Sequence, residues 1–202
     1  MSQPPAELDE PSAVMSENRE ELDWAARSNA RVLITGESGA GKQAIARFIH
    51  EHSTRRASPF VAVNCGVPEA ILASQLFGHA RGTFSDADRD SPGWLQQLHT
   101  GTLLLERVSQ MSLGIQASLL NFLENGEIRP MGTGDVQSRS DVRIMASDRN
   151  LYEDMVAGRF LEDLYYRLNI IHIVVARKLA KATSIPSFPT IETAPLRAWG
   201  RQ

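Results

Sequence analysis

Cysteine is all but missing from this chain: Cys65 stands alone among 202 residues. A single thiol excludes an internal disulfide and a cysteine-rich metal site, and it points to a reducing, cytoplasmic setting. Long apolar runs are missing as well. No stretch approaches the roughly 20 apolar residues of a membrane span. Met1 to Glu10 has neither the basic region nor the apolar run of a signal peptide, so no membrane partner is expected. Nor is there an excess of positive charge. A formal net charge of −3 argues against a chain-wide electrostatic grip on DNA, which leaves nucleic-acid contact to a local patch or a partner protein.

What is present suits one α/β domain. Hydrophobic residues make up 42% and charged residues 22%, ordinary values for a globular protein long enough to bury one core. Residues 1–12, acidic and proline-containing, read as a disordered lead, 13–175 as the folded core, and 176–202 as a divergent, disordered tail with three prolines and no sustained apolar period. Within the core, β-rich runs fall at Val32–Thr35, Phe60–Val63, Thr102–Leu105, Val142–Ala146 and Ile170–Val175. Helical spacing falls between them: weakly over Ser12–Asn29, then at Lys42–His50, Glu69–Phe77, Ile115–Glu124 and Leu161–Leu168. That alternation predicts a mainly parallel five-stranded sheet covered on both faces, a three-layer α/β sandwich.

The segment Gly36-Glu37-Ser38-Gly39-Ala40-Gly41-Lys42-Gln43 fits the first seven positions of the phosphate-loop pattern G-x-x-x-x-G-K-[ST], between a strand and a helix. Glycines let such a loop fold back so that its N–H groups converge on phosphate oxygens. The following helix adds the positive end of its dipole, and Lys42 supplies a flexible charge for the β- and γ-phosphates. The last position is Gln43, so the usual hydroxyl ligand for Mg²⁺ is missing.

Several segments together resemble the AAA+ ATPase domain of the sigma-54-dependent transcriptional activators, the bacterial enhancer-binding proteins. They are the phosphate loop itself, Phe60-Val61-Ala62-Val63-Asn64-Cys65, Gln75-Leu76-Phe77-Gly78-His79 leading into a G-x-F loop, Gly101-Thr102-Leu103-Leu104-Leu105, and Asp163-Leu164-Tyr165-Tyr166-Arg167-Leu168-Asn169. The similarity runs from about Met15 to Val175. It implies a P-loop NTPase with AAA+ strand order, ATP and Mg²⁺ as cofactors, assembly into a ring, and sigma-54 RNA polymerase as the partner whose closed promoter complex is remodelled.

The chain departs from that pattern where mechanism resides. The family's Asp-Glu after the third strand is Glu106-Arg107 here. Glu106 keeps a carboxylate able to hold Mg²⁺ through a water and is the remaining catalytic acid. Arg107 cannot polarise a water, since a guanidinium has no acceptor and does not deprotonate. Asn64 takes the place of the polar residue that senses nucleotide through the missing glutamate, and Arg107 is its expected neighbour. Asp148 occupies the sensor-strand position of an asparagine, with an Arg107 pairing as a means of offsetting its charge. The polymerase-contact loop reads Gly82-Thr83-Phe84-Ser85-Asp86-Ala87, with Asp86 in place of a glycine. Of the two arginine-finger positions, Leu161 fills the first and Arg167 the second. Arg167 reads equally as a surface ion-pair residue. Beyond Val175 the family continues into a helical lid and then, usually, a DNA-binding helix-turn-helix. Ala176 onward matches neither, as a frameshift or early stop would leave it.

The expected function is therefore an ATP-binding sigma-54 interaction domain with impaired hydrolysis. The alternative is a hydrolysis-dead nucleotide-binding module that assembles, homo- or hetero-oligomerically, with intact relatives, or a non-functional gene remnant. An unrelated small-molecule P-loop kinase leaves the Leu76–Phe84 and Asp163–Leu168 runs unexplained.

Overall fold

The computed structural model describes residues 19–83, 87–133 and 138–175. The elements are α1 (Arg19–Arg27), β1 (Val32–Gly36), α2 (Lys42–Glu51), β2 (Phe60–Asn64), α3 (Glu69–Phe77), β3 (Gly78–His79), β4 (Ser91–Pro92), α4 (Trp94–Gln97), β5 (Thr102–Glu106), a 3₁₀ turn at Val108–Gln110, α5 (Leu113–Asn125), β6 (Glu127–Ile128), β7 (Ser138–Arg139), β8 (Arg143–Asp148), α6 (Leu151–Val156), α7 (Glu162–Leu168) and β9 (Ile171–Val175). Five strands form one parallel sheet in the order β2-β5-β8-β1-β9.

Burial follows position in the sheet. The three inner strands are buried almost throughout, Val-Leu-Ile-Thr in β1, Thr-Leu-Leu-Leu in β5 and all six residues of β8. A strand covered on both faces is apolar along its middle, and in β8 the polar residues Arg143, Ser147 and Asp148 fall at its two ends. The edge strand β9 alternates instead, with Ile171, Ile173 and Val175 buried and His172 and Val174 exposed.

Period-two alternation then sorts the inner strands between two helical layers. Leu33, Val63, Leu103, Leu105, Ile144 and Ala146 share one apolar cluster with residues of α3, α5 and α7. Val32, Ile34, Leu104, Met145 and Ile173 face the other way, onto Leu22 and Ala25 of α1 and Ile45, Ala46 and Ile49 of α2. This is the expected three-layer sandwich.

Several expected boundaries move. β8 begins at Arg143 and continues to Asp148, because its polar end is still paired with β1, Thr35 opposite Asp148. α5 starts two residues early, where the Ser112 hydroxyl accepts from Ile115 N–H, and stops where Gly126 takes a left-handed φ of 68°. Of the helical spacing read over Ser12–Asn29, the described part is Arg19–Arg27. The lead at residues 1–12 and the tail at 176–202 lie outside the described residues.

Candidate nucleotide-binding site

The phosphate loop joins the C-terminal end of β1 to the first turn of α2. Gly36, at φ 154°, leaves no room for a side chain, since a Cβ there would sit 2.4 Å from the Val175 carbonyl oxygen of β9. Gly39 and Gly41 are left-handed, at φ 77° and 88°, and a Cβ on either would meet nothing within 4 Å. That open concavity is where phosphate oxygens approach a loop of this kind. Lys42 Nζ donates to the Gly36 and Glu37 carbonyls at 2.7 and 2.8 Å, so its charge is held inside the loop.

Alternation in the strands brings the remaining groups to the same end of the sheet. Glu106, two positions beyond Leu104, falls on the α2 side of the sheet. It pairs in register with Asn64 of β2 and Ser147 of β8. Burial pushes the Glu106 carboxyl above its ordinary range, opposed by the Lys42 charge. Burial likewise lowers the Lys42 ammonium. Asp148, Glu106 and Glu37 oppose that shift and Arg149 adds to it, which places all four around Lys42. Among the described residues no three His, Cys, Asp or Glu side chains gather to hold a metal ion. Nucleotide-bound Mg²⁺ needs only one or two protein carboxylates, with phosphate and water supplying the rest; Glu106, at the end of β5, is one carboxylate at this end of the sheet.

Arg107 follows Glu106 in a left-handed conformation, φ 59°, with its N–H on the Ser147 carbonyl at 2.8 Å. Its guanidinium lies over Gly66, where an added Cβ would come 2.9 Å from Arg107 Nη1 and 3.2 Å from Asn64 Oδ1. Arg107 and Asn64 are therefore neighbours, as expected. The pairing of Arg107 with Asp148 is not formed. Asp148 Oδ2 accepts from Ser109 N–H at 2.8 Å and Oδ1 from Arg149 N–H at 2.7 Å, so two backbone amides offset the carboxylate.

Two residues at this end carried no expectation. Ser147, 1% exposed, sits between Glu106 and Ile34 in register. Arg149 reaches back to the phosphate loop, Nη2 to Glu37 Oε2 at 2.9 Å. The signal for both was the polar run Ser147-Asp148-Arg149-Asn150 closing an apolar strand.

The remaining candidates do not converge on the loop. Arg167 pairs with Glu124 of α5 at 2.7 Å and lies beside Arg31, at the opposite end of the sheet. Its ion-pair reading is thus realised within the chain. Leu161 precedes α7, gives its N–H to Gln116 Oε1 and packs on the core. At the contact loop, Gly82 N–H donates to the Ala87 carbonyl, and Thr83 Oγ1 to the Ala80 and Met131 carbonyls. Phe84, Ser85 and Asp86 lie outside the described residues.

The family model described as the sigma-54 interaction domain matches residues 8–174. The response regulator protein FleR of Pseudomonas aeruginosa is 42% identical over 172 residues, covering 83% of this chain and 36% of FleR. The transcriptional regulator VasH of Vibrio cholerae is 41% identical over 176 residues, 86% of this chain and 33% of VasH. Among solved structures, NtrX from Brucella abortus in complex with ATP is 34% identical with a TM-score of 0.72, covering 85% of this chain and 39% of NtrX. The chain thus spans between 33% and 39% of the length of these relatives.

Proposed function

The chain belongs to the sigma-54 interaction domain family, and from that premise we propose that it binds ATP in the Gly36–Gln43 loop and hydrolyses it poorly. The observation that carries the binding half is the loop geometry: open left-handed glycines at 39 and 41, with Lys42 placed among Glu106, Asp148 and Arg149. Support by likeness comes from NtrX, solved in complex with ATP. Mg²⁺ would enter with the nucleotide and neutralise phosphate charge, with Glu106 as its protein-side carboxylate.

The hydrolysis half rests on Arg107. It stands where the resemblance places the residue that polarises the attacking water, and all its side-chain polar atoms are donors. Loss of a general base lowers turnover about 10²- to 10⁴-fold. Arg167 is engaged by Glu124, and Leu161 has no charge to offer a neighbouring site. On this reading the domain acts on sigma-54 RNA polymerase as a nucleotide-loaded member of a ring with other subunits, through the loop based on Gly82, Thr83 and Ala87.

A thermal melt with and without Mg²⁺–ATP, on the parent and on Lys42→Ala, tests the binding half. Ligand at 100 times Kd stabilises a one-site protein by about 2.7 kcal/mol. An upward shift present in the parent and lost in Lys42→Ala is expected; a melt indifferent to nucleotide sinks the proposal. Phosphate release at or near the Lys42→Ala background is the expected companion result, and brisk release from the parent alone refutes the hydrolysis half.

A further inference from the structure

The end of the sheet where its strands begin, opposite the phosphate loop, carries a second concentration of charge. A cavity of about 410 Å³ lies there, walled by the chain entering β1 (Asn29 to Arg31), the end of α5, the start of β8 and Ile170. That volume falls within the range of small-molecule sites. Three arginines, Arg31, Arg55 and Arg143, are among the residues that line it, together with Asp141.

Arg143 is the unusual member. It is 2% exposed. Nε and Nη2 donate to the Ala30 and Ala25 carbonyls, while Nη1 has no partner. A buried charge without a full set of partners is costly to keep. Burial and the nearby Arg55 bring its pKa down to about 10, so it is still a cation at neutral pH. Arg55 spends its own fork on Asp141, at 2.8 Å to each carboxylate oxygen. Arg31 donates to the Leu123 carbonyl and is further burdened by Arg167 beside it, which pairs with Glu124. In the lining itself three arginines meet one carboxylate, Asp141, an excess of two positive charges in a chain whose net charge is −3.

We propose that this cavity binds a small dianionic oxyanion, a phosphate- or dicarboxylate-bearing molecule, between Arg31 and Arg143. Guanidinium forks match the geometry of carboxylate and phosphate oxygens, and Phe122, Leu123 and Ile170 in the wall leave room for an apolar body behind the charge. Position gives such a ligand a route to the nucleotide site. Arg143 opens β8 and Asp148 closes it, five residue steps or roughly 16 Å away, and Arg31 directly precedes β1, which runs into the phosphate loop.

Inorganic phosphate and malonate are the probes, titrated against thermal melting of the Lys42→Ala chain, with chloride matched for ionic strength. The Lys42→Ala background removes phosphate binding at the phosphate loop. A saturable rise in Tm, roughly 5–10 °C at 100 times Kd, is expected. It should vanish when Arg31→Gln or Arg143→Met is added. Arg31→Gln, at a half-buried position, keeps the test decisive should Arg143→Met fail to fold, and in the Lys42 parent it should still respond to ATP. A rise with phosphate alone places a phosphate-bearing ligand; a rise with both probes places a general dianion. No rise, a rise that never saturates, or one that survives Arg31→Gln overturns the proposal.

Discussion

Replacing Arg107 with glutamate exchanges a donor for an acceptor at the end of β5 and leaves the backbone that fixes the position untouched. The left-handed φ of 59° strains arginine and glutamate alike, so little change in stability comes from that source. The Arg107 N–H keeps its bond to the Ser147 carbonyl whatever the side chain. Asn64 Oδ1 accepts from the Gly66 N–H at 2.9 Å and keeps a second lone pair for a neighbouring donor. Arginine beside it offers only further donors, whereas a glutamate carboxylate offers an acceptor and a base. If position 107 limits turnover, Arg107→Glu should raise phosphate release at saturating Mg²⁺–ATP about 10²- to 10⁴-fold, or roughly 2.7–5.5 kcal/mol off the barrier. Arg107→Ala separates base chemistry from simple removal of the arginine charge, and Arg107→Glu with Lys42→Ala sets the zero. The reasoning fails if Arg107→Glu melts cooperatively, shifts with ATP as the parent does, and gains less than about tenfold, or if Arg107→Ala gains as much.

Gly36→Ala should force β9 off the phosphate loop, because its Cβ would stand 2.4 Å from the Val175 carbonyl oxygen. Overpacking of this kind costs about 1–3 kcal/mol, to be read as a lower urea midpoint at constant m-value; an unchanged midpoint contradicts the packing. Asp148→Asn removes one of two acceptor oxygens, each of which holds a backbone N–H. Stability should fall by about 1–3 kcal/mol while ATP binds more tightly for want of a nearby negative charge; weaker ATP binding in a folded variant contradicts the charge argument. Stability should also fall on acidification below about pH 6.5. His50, 5% exposed and set against Thr102 Oγ1 at 3.0 Å, has its pKa lowered by burial from 6.5, so the unfolded chain binds a proton there that the folded one refuses. His172 acts in the same direction, and Glu106, raised above 4.5 by burial, in the opposite one as pH rises from its ordinary range. The difference in Tm-against-pH slope between parent and His50→Gln isolates the first contribution, and equal slopes would remove it.

The chain's local pattern was enough for much of the fold. Short β-branched and apolar runs set between segments of helical spacing favour strands, which is why the five sheet strands were legible to within two residues at either end. Gly36, Gly39, Gly41 and Lys42 were legible for a related reason: a phosphate loop is local in sequence, and its conformation is written in its glycines. The two-residue pairs β3–β4 and β6–β7 were not, because nothing in so few residues distinguishes a strand. The first is held by close backbone contact, Gly93 against Leu76 and Gly78.

The site's other residues divide along the same line. The family resemblance identified Glu106, Arg107, Asn64 and Asp148 one at a time, each by the position it matches in the family pattern. Which of them meet depended on strand order. Parallel pairing of β2, β5 and β8 sets Asn64, Glu106 and Ser147 in one row and gives Asp148 to backbone amides instead of Arg107. It brings Arg149 across 112 positions to Glu37 and gathers Arg31, Arg55 and Arg143 at the far end. Charge–charge contacts between distant segments carry no local signature, and only the packed sheet could decide them.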